Sequence, residues 1–433
     1  MREKPPGVTF EVIGKKKVRR KNSTSFSFLF SLFNCLFSLA SLLLEAEVPL
    51  TRDSDIDVPE LFSRSAVLMD AATGTFLYYK NPDEIIPPAS LTKLMTMHLA
   101  LKMVEGNPAL MEEPIAPPPE SWAVNQPPHS SLMFLANGQQ TNLRELLLGL
   151  AIPSGNDAAV AVALHLTSSV AAFTEMMNRE AETLGLMNTH FDEPSGISEF
   201  NLTTARDFAN FCRFYIEAHP EALRDYHTVR EFAYPKPENV AEVFRNRPGT
   251  IVQYNHNRLL ETLEGVDGLK TGYIDESGYN IALTAKRGET RFIAVILGAP
   301  LRGGEQIRNE DGRRLLTWAF ENYKTVFPPV PILEKQRVWK GKNNYVNIGY
   351  GAPLEFTSRI NRASPLHYRL ELLDPLIAPL SKGSQAGELI YYDDAGELYR
   401  IPLLSSEELE AGGFFKRLID SIRLFFRGLF QDL

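Results

Sequence analysis

Apolar residues recur at two different periods along this chain, and the alternation between them sets the expected architecture. Ala66-Val67-Leu68-Met69 and Thr75-Phe76-Leu77-Tyr78-Tyr79 flank a Gly-ended turn, Asp70 to Gly74, which is the pattern of a β-hairpin. From Ser90 to about His219 the apolar positions fall three and four apart. Leu143, Leu146, Leu147 and Leu150, then Val160 and Leu164, show the spacing, which predicts a largely helical stretch. Strand patterns return at 268–274, 279–285 and 291–297, separated by the short turns Asp275 to Gly278 and Lys286 to Glu289. These three predict an antiparallel meander. A helix from Gly312 to Tyr323, with Leu315, Leu316, Ala319 and Phe320 on one side, closes the domain. Two strands, a helical insert, three strands and a final helix make an α+β domain over 62–325, with helices packed on one antiparallel five-stranded sheet. Phe327-Pro328-Pro329-Val330-Pro331 then reads as a stiff linker, and the short alternating runs over 330–410 predict a small all-β C-terminal domain.

The two ends carry a different pattern. The first 21 residues hold eight basic side chains against Glu3 and Glu11, and an apolar stretch from Phe26 to Leu44 follows, with Ala46 just beyond it. A basic region, an apolar region and a small residue in that order predict a signal peptide over 1–46. An uncleaved membrane anchor is the rival reading, and both export the body of the chain. At the other end, 412–433, Lys416, Asp420, Arg423, Arg427 and Gln431 share one side of a helix. Phe415, Ile419, Ile422, Phe426 and Phe430 occupy another, with Phe414, Leu418, Phe425, Leu429 and Leu433 beside them. This amphipathic helix is expected to lie on a membrane surface and not to cross it; a helix packed on its own domain is the alternative.

Composition narrows the class. The chain has 433 residues, 44% hydrophobic and 23% charged, which is enough for two domains with ordinary cores. A formal net charge of −8 speaks against nucleic-acid binding, which needs clustered Lys and Arg. Of the two cysteines, Cys35 lies in the expected leader, so removal of the leader leaves Cys212 without an intrachain partner. The eight histidines show no metal-ligand spacing, so neither a metal nor another cofactor is expected, and His98 reads as a core residue.

Three short motifs carry chemistry. Ser90 and Lys93 follow Pro87-Pro88 at a predicted helix start, three residues apart and therefore on one face. A serine hydroxyl needs a base to become a nucleophile, and a lysine buried against apolar walls loses its charge and can serve. The helix N-terminus adds free N–H groups for a developing oxyanion. Ser154-Gly155-Asn156 places a hydroxyl and an amide two apart in a loop, suited to passing a proton and fixing a carbonyl. Lys270-Thr271-Gly272 lies on a predicted strand, where the glycine admits a second backbone and the polar pair suits a carboxylate. Each motif alone is equally at home in an ordinary turn, cap or strand. Arg291, on the third meander strand, reads either as a carboxylate ligand or as a solvated strand residue.

Taken in this order the motifs resemble the penicillin-binding serine acyltransferases. With Pro88 to Thr96, Pro153 to Ala159, and Val266 to Tyr273 followed by Gly278-Tyr279-Asn280, the chain is most similar to the low-molecular-weight D-alanyl-D-alanine carboxypeptidases, over roughly 62–433. The resemblance implies a β-lactamase/transpeptidase-like fold and an exported enzyme attached to the periplasmic face of the bacterial inner membrane. It also implies a peptidoglycan stem peptide ending in D-Ala-D-Ala as substrate and β-lactams as inhibitors. On matching positions it implies that Ser90 attacks, Lys93 is its base and Ser154 returns a proton. Asn156, Lys270, Thr271, Gly272 and Tyr273 would bind substrate, with the Ser90 and Tyr273 N–H groups holding the oxyanion. Two positions depart from the subfamily: Tyr273 stands where histidine is usual, and Glu193 where asparagine is common. A class A β-lactamase shares the motif types but needs Glu-x-x-x-Asn, and Ile197 occupies the asparagine position after Glu193. A non-enzymatic β-lactam sensor or scaffold is the other reading, against which the intact Ser90, Lys93, Ser154 and Lys270 speak.

Overall fold

The computed structural model describes residues 58–360 and 364–430; the expected leader, with Cys35, and the last three residues lie outside that range. Two compact units are present, Asp57–Thr325 with Thr357–Asn361, and Val326–Phe356 with Arg362–Leu433.

The first unit is built on the expected five-stranded antiparallel sheet. Its strands are β1 (Ser65–Asp70), β2 (Phe76–Lys80), and later β5 (Val266–Ile274), β6 (Gly278–Arg287) and β7 (Thr290–Ala299), in the order β2-β1-β7-β6-β5. Strands β3 (Glu231–Tyr234) and β4 (Ile251–Tyr254) form a separate two-stranded ribbon. The sheet is covered on both faces, which is why β7 reads as an unbroken apolar run instead of an alternating one. Ile293, Val295 and Leu297 join the helical core, while Ile296 and its neighbour Leu283 on β6 meet Gly312 of the helix Gly304–Asn322. Between β2 and β3 come α1 (Lys93–Gly106), α2 (Leu143–Ala151), α3 (Asn156–Leu166), α4 (Val170–Thr183) and α5 (Ala205–Ala218). Side chains of Asn142, Ser169 and Thr204 cap the free N–H groups at the starts of α2, α4 and α5. With β5 at the sheet edge, the Lys270-Thr271-Gly272 backbone has a neighbour on one side only.

Three expectations need correction. The helical stretch is not continuous: an irregular segment with short 3-10 turns separates α1 from α2, and a segment of turns and bends separates α4 from α5. In the first of these gaps Pro117-Pro118-Pro119 and Pro127-Pro128 withhold the N–H groups a helix needs. The closing helix begins at Gly304, two turns before Gly312. Its first turns are polar in sequence, yet Arg308 and Asp311 are buried, so the inward face there is charged and gives no apolar period. Asp311 accepts from Phe62 N, Ser63 N and Ser63 Oγ, tying this helix to the segment that enters β1. Finally, the strand Phe356–Arg359 pairs with Tyr323–Val326, and Ile360 N donates to Asn322 O at 2.9 Å, so 357–360 belong with the first unit.

The second unit is all-β apart from its last helix. One four-stranded antiparallel sheet runs in the order Ile348–Tyr350, Gly396–Ser405, Gln385–Asp393, His367–Leu372. Leu389, Tyr391, Ile401 and Leu403 are fully buried within it. The C-terminal helix spans Phe414–Phe430 and is fastened to this unit through its polar side. The buried Asp420 carboxylate accepts from Lys340 N at 2.8 Å and Lys416 Nζ at 2.7 Å, and Arg427 pairs with Asp374. Its apolar side is left open: Phe415 is 77% exposed and Phe425 65% exposed, with Leu418, Ile419, Ile422 and Phe426 also exposed. No single described helix is long and apolar enough to cross a membrane.

Candidate active site

Pro88 leads into a 3-10 turn, Ala89–Thr92, and α1 starts only at Lys93. Ser90 and Lys93 were expected on one α-helical face; the 3-10 turn sets residues three apart directly above one another, which brings the two side chains closer. Lys93 is fully buried, and its Nζ donates to Ser90 Oγ at 3.0 Å, Asn156 Oδ1 at 2.7 Å and the Ser195 carbonyl at 2.5 Å. Those three contacts use every proton of an ammonium. Burial pulls its pKa down from 10.5 to about 7, while the negative charges of Glu193 and Asp157 resist the fall. The group is therefore poised between charged and neutral near neutral pH, as a general base requires. Ser90 itself is only partly buried, so its hydroxyl is reachable from outside.

Ser154 lies two residues before Asn156, in an unusual loop. Its φ is +63°, a left-handed conformation that sends the chain back toward Lys93 at Asn156. Asp157 pins the loop by accepting from Met133 N, Phe134 N, Leu135 N and Ala158 N, and its burial pushes its carboxyl pKa up. Ser154 Oγ is buried and makes no hydrogen bond with any described residue. An orphaned hydroxyl in a pinned loop costs stability, and such costs concentrate where a ligand completes the bonding. Asn156 gives its Oδ1 to Lys93, which leaves its Nδ2 as the donor available to a bound carbonyl.

The strand β5 runs against the nucleophile's backbone. A Cβ on Gly272 would stand 2.8 Å from the Pro88 carbonyl oxygen and 3.0 Å from Ser90 N, so only glycine lets the Lys-Thr-Gly strand run this close to the nucleophile's backbone. Lys270 is buried, its Nζ donates to the Thr271 carbonyl, and burial with the charges of Lys93 and Arg308 drives its pKa well below the usual value. Thr271 is buried beside it, whereas Tyr273 is half-exposed, its ring tilted against that of Tyr279 with centroids 4.3 Å apart and its hydroxyl donating to Asp275. All eight residues singled out in the sequence thus lie on three segments that meet around Ser90 and Lys93.

Sequence reasoning missed Arg308. It is 4% exposed, its ionic partner among the described residues is Glu305 at 3.8 Å, and its charge opposes that of Lys270. Burial pulls its guanidinium pKa down to about 10. A buried cation cluster of this kind asks for an anion. The signal was hidden because the helix was expected to start at Gly312, four residues beyond Arg308. Arg291, by contrast, is spoken for: it makes a bidentate pair with Asp267 at 2.8 and 2.7 Å on the sheet and is not a free carboxylate ligand. Glu193 is not placed as a deacylating base either, because its carboxylate is occupied by Ser195 N, Gly196 N and Asn201 Nδ2.

Comparison with known proteins decides the family. A family model for D-alanyl-D-alanine carboxypeptidase matches residues 53–301. The chain belongs to that family. A model for the penicillin-binding protein 5 C-terminal domain matches residues 322–411. The chain is 34% identical to the D-alanyl-D-alanine carboxypeptidase DacC of Escherichia coli (strain K12), over 90% of this chain and 95% of that protein. Penicillin binding protein 5 from Haemophilus influenzae shares the fold with a TM-score of 0.71 at 30% identity, over 82% of this chain and 99% of that one. Penicillin-Binding Protein D2 from Listeria monocytogenes, solved in its cefotaxime-bound form, matches at a TM-score of 0.53 and 27% identity over 61% of this chain. The expected α+β fold with an all-β C-terminal domain holds, and the chain is a serine-type D-Ala-D-Ala carboxypeptidase, a hydrolase of cell-wall synthesis. A class A β-lactamase reading is not favoured.

Proposed function

We propose that Ser90 is the nucleophile by which this carboxypeptidase removes the terminal D-alanine of a peptidoglycan pentapeptide. The observation that carries the assignment is the bond from Lys93 Nζ to Ser90 Oγ, made by a lysine whose pKa is held near 7. Neutral Lys93 takes the hydroxyl proton as Ser90 Oγ bonds to the carbonyl carbon between the two D-alanines. Ser90 N–H and Tyr273 N–H hold the oxyanion. Ser154 relays a proton to the departing amine, the C–N bond breaks, and water then hydrolyses the Ser90 ester. The free carboxylate of the substrate meets Lys270 and Thr271, with Arg308 adding charge behind them; a bound anion favours the protonated form of Lys270, against the burial and neighbouring cations that lower its pKa. Asn156 Nδ2 donates to the penultimate amide. A β-lactam acylates the same Ser90 and awaits the same water. Incubation with a pentapeptide ending in D-Ala-D-Ala should release D-alanine, and Ser90→Ala should abolish both that release and penicillin labelling. Labelling that survives the substitution would reassign the nucleophile.

The same reading places the enzyme outside the cytoplasm. A basic-then-apolar leader supports export, and the open apolar side of the C-terminal helix supports peripheral attachment to the periplasmic face of the inner membrane. Fastening through Asp420 and Arg427 leaves the phenylalanines free for lipid and presets the helix before it meets a bilayer. Truncation before Gly412 should move the protein to the soluble fraction; retention on membranes would remove the helix from this role.

A further inference from the structure

A single peptide group joins Glu193 to Lys93. The Ser195 carbonyl oxygen accepts from Lys93 Nζ at 2.5 Å, and the N–H of the same peptide, that of Gly196, donates to Glu193 Oε1 at 2.5 Å. Its dipole therefore points its oxygen at the amine and its N–H at the anion, the arrangement in which each bond polarises and strengthens the other. The second carboxylate oxygen accepts from Ser195 N at 2.6 Å, and Asn201 Nδ2 binds the carboxylate at 3.1 Å while reaching Thr92 Oγ1 at the end of the 3-10 turn. Thr96 Oγ1 holds the neighbouring Pro194 carbonyl at 2.7 Å. Gly196 has a φ of +83°, and a Cβ there would stand 1.9 Å from the Ala89 carbonyl oxygen, so this peptide is also pressed against the residue preceding the nucleophile.

We propose that Glu193 is a positioning residue for the acylation step: it folds 193–198 into the turn that holds the Ser195–Gly196 peptide against both Lys93 and Ala89. This rests on the assignment of Lys93 as the base and goes beyond it. Glutamate puts a full negative charge at the far end of the peptide. That charge favours protonated Lys93. The other charged or titratable groups that act on the lysine are Asp157, which also favours the proton, and Lys270 and His256, whose positive forms oppose it. Glu193 thus sets how basic Lys93 is and at what pH it becomes free to act.

The sign follows. Only neutral Lys93 can take the serine proton, so acylation rises as pH climbs through its pKa. Replacing Glu193 by an amide removes a charge that favours the ammonium, the pKa falls, and the acid limb moves to lower pH. The test is the pH dependence of acylation by a fluorescent penicillin, with melting temperature measured alongside, for the full chain carrying Glu193→Gln, Glu193→Asp or Thr96→Val. For Glu193→Gln the acid limb should shift down by about 0.5 pH unit or more, and the plateau rate should drop about tenfold through lost positioning. Glu193→Asp keeps the charge and should leave the limb in place. Thr96→Val loosens the same turn without touching charge, so it should lower the plateau and leave the limb unmoved. Should Glu193→Gln not be recovered folded, Glu193→Asn carries the same expectation. A limb that stays put in a folded amide variant, or a full plateau rate, overturns the proposal. An acid limb absent from the wild type as well would instead remove Lys93 as the base.

Discussion

Lys93 Nζ stands 3.0 Å from Ser90 Oγ across one 3-10 turn, and nothing polar on the lysine is left over once Asn156 and Ser195 have taken its other protons. The geometry makes the nucleophile and its base a single rigid unit. It also makes the charge state of one amine the switch for the reaction.

Burial holds the Lys93 pKa at about 7, so the acylation rate should climb about tenfold per pH unit below 7 and flatten above it. Penicillin acylation measured from pH 5 to 9 checks this, and a flat profile through neutrality would refute it. Lys93→Met removes the base and should slow acylation by about 10²- to 10⁴-fold. The same substitution should raise the melting temperature at pH 7: below an ordinary lysine pKa the unfolded chain binds a proton that the fold resists, so the native lysine costs stability there. Methionine has no such proton to lose.

Ser154 should show the same trade in a milder form. Its buried hydroxyl bonds no described residue, so Ser154→Ala relieves an unsatisfied group and should stabilise by about 1 kcal/mol. Calorimetry gives that sign directly. Turnover of the pentapeptide should fall by about 10²-fold or more as the proton relay is lost. A variant with normal turnover would leave Ser154 with no part in the chemistry, and a destabilised one would mean its hydroxyl has a partner after all.

Much of this site was legible in the chain. Ser90, Lys93, Ser154, Asn156 and Lys270 to Tyr273 announce themselves because each motif combines a chemical group with a backbone signal: prolines before a turn, a tight loop, a glycine in a strand. The sheet was equally readable, since apolar runs such as Phe292 to Leu297 have one periodic explanation. What escaped reading shares one property. Arg308 and Asp311 are charged residues facing inward at the start of a helix, where apolar period is the only guide to burial. Glu193 was visible as a departure, but its work is done through a backbone peptide, and hydrogen bonds to backbone leave no pattern in side-chain identity. The 3-10 turn under Ser90 likewise depends on how Gly196 and Gly272 press on residues 88–90, contacts made by residues more than 100 positions away.

His227 connects folding stability to the catalytic strand. It is fully buried, its Nε2 shares a hydrogen bond with Tyr215 Oη at 2.8 Å, and its Nδ1 meets the Leu269 carbonyl at 3.2 Å, one residue before Lys270. Burial lowers its pKa to about 4, and His219, beneath α1 against His98, is lowered likewise to about 4. An unfolded histidine titrates near 6.5. Between pH 6.5 and 4 the unfolded chain therefore binds protons that these two sites refuse, and stability should fall by about 1.4 kcal/mol per pH unit for each. Denaturant unfolding at pH 7.5, 6 and 5 measures the slope. Asp157 and Asp207, whose carboxyl pKa values burial raises, work in the opposite direction, so the comparison that isolates His227 is with His227→Gln. That variant should show the shallower acid slope by one histidine's share. An identical slope would mean that the imidazole enters the fold already free to take a proton, and that the Leu269 contact does not hold the strand.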